Sequence, residues 1–142
     1  MFTIPAWTAA GWRHGFLGRE LDVRDLTHPE DLESRILETL GFAPGGSVCL
    51  LEQEHGVQFV EVGDALPAGI GGHRPKADGW LVHPAAGEGP ESLTVFGIRS
   101  ADCTPVLIRC QRSGLSAALH CGWRSAGPGL LKRGVGRGTG LP

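Results

Sequence analysis

The sequence has no apolar run that approaches the ~20 residues of a membrane span. Its start lacks the basic and continuously apolar stretches of a signal peptide. Its 13 Lys and Arg stand against 15 Asp and Glu, and this net charge of −2 argues against nucleic acid or an anionic membrane as a partner. The four cysteines, in a chain without an export signal, are expected to be reduced thiols. We therefore expect a soluble cytoplasmic domain.

Glycine and proline, by contrast, are abundant. The 142 residues include 23 Gly and 10 Pro, while 41% of the chain is hydrophobic. The length is that of one ordinary domain, and the hydrophobic content is sufficient for a core. This composition predicts a globular chain with many turns and few long helices.

Sequence periodicity predicts one helix followed by several strands. The helix is expected over Thr27–Leu40, because Thr27 and Glu30 form a capping box and Gly41 ends the apolar repeat. The residues Gln53–Gly56 are expected to close a hairpin between the first two strands. One helix before many strands indicates an α+β fold. The expected strands are Ser47–Glu52, Val57–Val62, Gly79–His83, Leu93–Ile98 and Leu115–His120, while Pro105–Cys110 fits either a strand or a helix.

The end of the chain departs from this pattern. A helix is expected to begin within Gly127–Leu131, but glycine occupies every second position from Gly134 to Gly140. Each interior glycine costs a helix about 1 kcal/mol relative to alanine, so this helix is not expected to continue. We predict one domain over residues 1–132 and a disordered tail over residues 133–142.

Three metal-capable residues stand at the ends of apolar segments. His55 lies in the first turn, Cys103 comes just before Thr104-Pro105, and His120 closes an apolar strand. Their separations of 48 and 17 residues are too long for a zinc finger but ordinary for ligands gathered from different strand ends. Two imidazoles and one thiolate leave one tetrahedral position open, as in catalytic zinc sites. The residues alone also allow a plainer interpretation, in which the histidines are structural and the cysteine is a small buried hydrophobe.

Five short motifs occur in order along the chain. They are His14-Gly15-Phe16 with Arg19, Gln53-x-His55-Gly56, Ala77-Asp78, Ala101-Asp102-Cys103-x-Pro105-Val106-Leu107 and His120-x-Gly122-Trp123-Arg124. This series resembles the laccase-domain purine nucleoside phosphorylase family, also called polyphenol oxidase or peptidoglycan-editing-factor proteins, over about Trp12–Leu131. The resemblance implies a layered α/β/β/α arrangement with mixed sheets. It places the catalytic zinc ligands at His55, Cys103 and His120.

The resemblance also implies an activity. The chain is expected to act on adenosine and related purine nucleosides, by phosphorolysis of the glycosidic bond and by deamination, with Zn²⁺ as cofactor. Arg19 and Arg124 are candidates for phosphate or substrate contacts, since a guanidinium binds phosphate bidentately. Asp102 could orient a zinc-binding histidine or could merely cap a turn. Gln53 could reach the substrate or, more simply, could bond to the backbone within the hairpin turn.

The remaining residues of the motifs are expected to be structural. Trp123 is interpreted as a core residue rather than a stacking platform. Two positions depart from the family pattern, because Glu54 stands where a small apolar residue is frequent and Ser125 where glycine is usual. The other thiols, Cys49, Cys110 and Cys121, are interpreted as structural.

Other activities compete with nucleoside phosphorolysis. A hydrolase that edits peptidoglycan precursors bearing a misplaced L-serine would use Cys103 as a nucleophile or a zinc ligand. Copper oxidation of phenols is disfavoured, because the only methionine is Met1 and six histidines are too few for a multicopper cluster. Since family chains continue well past Lys132, the resemblance implies that residues 1–132 form the N-terminal part of a single domain whose fold is incomplete at the C-terminus. An inactive, truncated or frame-shifted copy is therefore a further alternative.

Overall fold

The computed structural model describes residues 1–18, 21, 29–42, 45–63, 74–84, 94–126 and 129–139. The chain divides into two units, Met1–Val48 and Cys49–Pro142. No helix within the described ranges is long and apolar enough to cross a membrane. In chain order the elements are α1 (Pro5–Ala9), α2 (Pro29–Thr39), β1 (Ser47–Cys49), β2 (Phe59–Val62), β3 (Gly79–Val82), β4 (Thr94–Phe96), β5 (Thr104–Arg109), β6 (Ser116–Cys121), α3 (Trp123–Ala126) and α4 (Leu130–Thr139).

The first unit begins with an aromatic cluster. Helix α1 starts at Pro5, whose missing N–H is harmless in the first turn of a helix. Trp7 and Trp12 pack with their ring centroids 4.2 Å apart, and His14 stacks on Trp12 at 5.0 Å. The ring of His14 also accepts a hydrogen bond from the Ile4 amide at 2.8 Å. The histidine of the first sequence motif therefore serves the structure of this unit.

Helix α2 confirms the helix predicted before Gly41. Its buried side chains are Leu32, Ile36 and Leu37, a spacing that places them on one face of a helix. The chain leaves the helix through Gly41, whose φ of 73° is the left-handed conformation that glycine adopts without strain. Thr27, which begins the predicted capping box, lies outside the described residues.

A four-stranded mixed sheet forms the centre of the second unit. Its strand order is β2-β3-β6-β5. Strand β2 runs parallel to β3, while the β3–β6 and β5–β6 pairs are antiparallel. The sheet confirms the predicted α+β fold with mixed sheets. The segment Pro105–Cys110, which the sequence left open, contributes most of β5, and the strand predicted at Leu115–His120 is β6.

The predicted hairpin between the first two strands is wrong. Strand β2 pairs with β3, with Phe59 opposite Gly79. Cys49, at the end of β1, instead accepts a hydrogen bond from the Gly97 amide beside β4. The turn between β1 and β2 directs its backbone amides to the Asp78 carboxylate, just before β3. A turn with hairpin composition therefore binds a side chain distant in sequence.

The side chains of β6 alternate between two cores. Ala118 packs in a cluster with Trp80 on one face of the sheet, and Leu119 packs in another with Leu130 of α4. Successive side chains of a strand point to opposite faces of its sheet. His120 therefore lies on the Trp80 face, at the end of a strand that both cores hold in register.

Helix α4 contradicts the expected break at the alternating glycines. It extends from Leu130 to Thr139, so the prediction of a disordered, non-helical tail is wrong up to Thr139. Gly134 is buried, and a Cβ atom at this position would lie 3.0 Å from Cδ1 of Leu119. The missing side chain lets α4 approach β6 closely, and this packing offsets the helix-propensity cost of about 1 kcal/mol. Residues 140–142 lie outside the described part of the chain.

The close approach of α4 to β6 predicts a steric effect at Gly134. Gly134→Val places a branched side chain against Leu119 and should lower the free energy of unfolding by about 1–3 kcal/mol. Lys132→Val is the matched control, because Lys132 is exposed on the same helix and should lose only a few tenths of a kcal/mol. Urea unfolding of the full chain measures both values. Equal losses in the two variants would contradict the packing argument.

Candidate metal centre

Two histidines and one cysteine converge at one end of the mixed sheet. His55 comes from the turn before β2, Cys103 directly precedes β5, and His120 belongs to β6. One ligand atom from each residue lies within 4.8 Å of the other two. The imidazole rings meet edge to face, with their centroids 4.7 Å apart. His120 is buried whereas His55 is exposed, so the cluster is open to solvent on the side of His55.

Strand register decides which cysteine joins the cluster. Thr104 pairs with Cys121 in the β5–β6 ladder, which places Cys103 opposite Gly122 and on the same face of the sheet as His120. Cys121 points to the other face, where it packs against the core that includes α4. Burial, and then the nearby Cys103 thiol, raise the pKa of Cys121 and favour its protonated form. The cysteine next to His120 in sequence is therefore excluded from the cluster by alternation.

Gly122 makes room for the cluster. A Cβ atom on this residue would lie 3.0 Å from Sγ of Cys103 and 3.2 Å from Cδ2 of His55. Both distances are shorter than ordinary van der Waals contacts. Any side chain at position 122 would therefore push two of the three candidate ligands away from their present positions.

A single carboxylate, Asp78, positions both histidines. Its side chain is 1% exposed. It accepts hydrogen bonds from the backbone amides of Glu54, His55 and Gly56 at 3.3, 2.9 and 2.7 Å. These bonds hold His55 at a φ of 60°, a left-handed conformation that costs a non-glycine residue about 1–2 kcal/mol. The same carboxylate bonds to Nδ1 of His120 at 2.9 Å.

The ionisation of Asp78 determines how His120 presents its ring. Burial alone would raise the pKa of Asp78, but hydrogen bonds from His120 and from the backbone amides of the turn bring that pKa below its ordinary value. The group is therefore a carboxylate at neutral pH. Since a carboxylate only accepts, Nδ1 of His120 carries the proton that it donates to Asp78, and Nε2 keeps its lone pair for a metal.

Ser125 holds the backbone that connects His120 to Gly122. Its side chain is fully buried. The hydroxyl oxygen accepts the Gly122 amide at 2.9 Å, and the hydroxyl lies 3.0 Å from the Gly122 carbonyl and 3.3 Å from that of His120. The departure from glycine at this position thus adds a polar group that bonds back to the strand end.

Gln53 holds the segment that leads to Cys103. Its side-chain amide donates to the Arg99 carbonyl and accepts from the Arg99 amide, each at 2.7 Å. The Ser100 hydroxyl in turn donates to the Cys103 carbonyl. Both polar ends of Gln53 are thereby used by the backbone of Arg99, 46 residues further along the chain, and not by the backbone of the turn that contains Gln53.

Comparison with known families agrees with this architecture. Residues 25–139 match the family model described as "Multi-copper polyphenol oxidoreductase laccase". The chain belongs to this laccase family. The solved structure of Neisseria meningitidis protein NMB0706, of family-model DUF152, is similar in fold, with a TM-score of 0.57 and 22% identity. The match covers 83% of the present chain and 43% of that protein, so the present chain spans less than half of that protein's length. No curated protein matches.

Two further motif residues, Trp123 and Asp102, can be compared with their predicted roles, whereas Arg19 cannot. The prediction that Trp123 is a core residue is wrong, because it is 81% exposed and lies beneath the guanidinium of Arg124, 5.1 Å from the ring centroid. Asp102 is exposed, and the carboxylate that orients His120 is Asp78. Arg19 lies outside the described residues, so its role in substrate binding stays a prediction.

The three candidate ligands suit a transition metal. Zn²⁺ binds cysteine sulfur at about 2.3 Å and histidine nitrogen at about 2.0–2.1 Å, so donors around one ion lie about 3.3–3.8 Å apart. The present donors, all within 4.8 Å, need only small side-chain rotations to reach that spacing. Three protein donors leave one tetrahedral position for a small molecule, as in catalytic sites.

The contacts of Asp78 predict a metal-affinity defect. Asp78→Asn replaces one acceptor oxygen with an NH₂ group that faces backbone N–H donors, so the turn and His120 lose their common anchor. We expect zinc affinity to fall about 10- to 100-fold, as for other residues that orient metal-bound histidines. Competition with a chromophoric chelator measures the affinity. Asp102→Asn is the control, and a larger loss there than at Asp78 would contradict this assignment.

The hydrogen bonds around a second thiol, that of Cys110, predict that it is alkylated readily. Hydrogen bonds from the Ser113 hydroxyl, and then from the backbone amides of Ser113 and Arg112, lower the pKa of the Cys110 thiol. At neutral pH we expect Cys110 to react with iodoacetamide faster than an ordinary thiol, and Ser113→Ala to slow it about threefold. Peptide mapping by mass spectrometry follows the rate, with Gln111→Ala as the control. An unchanged rate in Ser113→Ala would refute the hydrogen-bond explanation.

Proposed function

We propose that this chain is a zinc-dependent purine nucleoside phosphorylase that acts on adenosine and related nucleosides, with adenosine deaminase activity. The observation that carries the proposal is the convergence of His55, Cys103 and His120, with their ligand atoms within 4.8 Å of one another. The motifs that contain these residues are those of the laccase-domain phosphorylases, and the family match spans all three. An open face beside His55 gives a small substrate access to the cluster.

The donor set favours zinc over copper as the resident metal. Two imidazoles and one thiolate with an open position are typical of catalytic zinc. The same set occurs in type 1 copper sites, usually with a weak axial methionine. Here the only methionine is Met1, whose sulfur lies close to Gly15 in the first unit. The copper in the family's description belongs to the family model.

The protein residues divide the work of the proposed reaction. A bound zinc ion would supply a Lewis acid and lower the pKa of coordinated water to about 7. Asp78 keeps the Nε2 lone pair of His120 directed to the cluster. Arg124 lies two residues after Gly122 and carries an exposed positive charge. Its guanidinium could hold phosphate through two parallel hydrogen bonds.

The proposed activity predicts a phosphate-dependent product. Zinc-loaded protein, given adenosine and phosphate, should release adenine and ribose 1-phosphate, and without phosphate it should convert adenosine to inosine. Cys103→Ser should lower both rates about 100-fold or more, since loss of a ligand exceeds the loss of an orienting partner. Chromatography of the products and metal analysis of the same samples provide the measurements.

The control for this experiment is Cys110→Ser, which removes a thiol at the opposite end of β5. It should retain full zinc content and activity. Zinc-loaded protein that releases no ribose 1-phosphate would reject the phosphorylase. Copper-loaded protein that oxidises phenols and absorbs strongly in the visible range would favour the oxidase. Hydrolysis of the L-serine-bearing peptidoglycan precursor would instead favour the editing activity.

A further inference from the structure

One large aromatic side chain beside the metal cluster is used by neither core. Trp123 is 81% exposed, although burial of an indole is strongly favourable in water. The other tryptophans are occupied. Trp80 is fully buried and donates its Nε1–H to the Gly97 carbonyl, while Trp7 and Trp12 pack on each other in the first unit. The indole of Trp123, which neither core covers, is thus available to contact a bound molecule.

The backbone places this indole next to the candidate ligands. Trp123 directly follows Gly122. A Cβ atom on Gly122 would lie 3.0 Å from Sγ of Cys103 and 3.2 Å from Cδ2 of the His55 ring, so Gly122 borders the cluster. Consecutive Cα atoms lie about 3.8 Å apart, so the indole is attached within one residue of the cluster. Both Trp123 and His55 are exposed. Both side chains are therefore accessible to a molecule that binds beside the cluster.

Arg124 determines which side of the indole is free. Its guanidinium lies over the ring at 5.1 Å from the centroid, a cation–π contact that occupies one face. The contact holds the ring without burying it. A stacked guanidinium keeps its in-plane N–H donors available for an anion, so the pair can offer an aromatic face and an anion contact together.

We propose that Trp123 is the platform on which the base of the substrate stacks, with the nucleoside extending from the indole towards the His55–Cys103–His120 cluster. The ligand class is a planar purine base. This inference rests on the proposed function, because the same cluster would act on the bound nucleoside. Stacking of one base on an aromatic side chain corresponds to about a 5- to 150-fold gain in affinity.

Tryptophan fluorescence and proton NMR test the stacking directly. Adenosine should quench the emission of the zinc-loaded protein and shift the adenine H2 and H8 resonances upfield. Trp123→Leu should abolish both signals and weaken adenosine binding about tenfold, while Trp123→Phe should restore most of the affinity. Zinc content should stay unchanged in both variants. Leu131→Ala, which removes another exposed apolar side chain, is the matched control and should bind adenosine normally.

The outcomes separate this inference from the proposed function. Normal turnover with an unchanged KM in Trp123→Leu would overturn the platform and leave the phosphorylase standing. Quenching that depends on Trp123, without turnover in the parent chain, would support the platform and reject the phosphorylase. Failure of adenosine to bind the parent chain would overturn both. A parent dimer that Trp123→Leu converts to monomers in sedimentation, with adenosine affinity unchanged, would assign the indole to a subunit interface and overturn the platform.

Discussion

The candidate metal centre depends on one buried carboxylate. Asp78 is 1% exposed, and an ionised group in such a position costs several kcal/mol unless hydrogen bonds replace its water. Here three backbone amides and the ring of His120 donate to it. The bonds connect the turn before β2, the start of β3 and the end of β6 at one point. Removal of the carboxylate would free two candidate ligands at once, because the same group holds the His55 turn and the His120 ring.

The sheet supplies the rest of the geometry. Antiparallel pairing of β5 with β6 places Cys103 opposite Gly122. A one-residue slip of β5 along β6 would turn the Cys103 side chain to the other face of the sheet, away from His120. Such a slip would also turn Val106 and Ile108 of β5 out of the core that includes α4, so core packing protects the ligand set. Gly122 and Ser125 complete the arrangement, one by leaving space and the other by holding the strand end. Core packing and the candidate metal centre thus depend on the same register.

The sequence predicts those features that depend on local chemistry. The helix before Gly41 follows from apolar spacing. The three candidate ligands were visible as metal-capable residues at the ends of apolar segments, but only the family resemblance favoured them over structural histidines and a buried thiol. The predicted hairpin is wrong because its amides bind Asp78, which lies 22 to 24 residues further along the chain. The predicted break in α4 is wrong because helix propensity ignores the contact of Gly134 with β6. Asp78 itself had a visible signal, a carboxylate directly before the apolar strand Gly79–Val82, but only the structure shows what it holds.

The two histidines of the laccase cluster are prepared for a metal to different degrees. His120 is buried and bonded at Nδ1, so its ring has lost its rotational freedom before any ion arrives. The backbone of His55 is held by Asp78, but its ring is exposed and meets His120 edge to face. Ordering a free side chain costs entropy on binding, and this cost falls mainly on His55 and little on His120. A metal ion bound at this candidate centre would therefore have one fixed and one adjustable imidazole among its ligands.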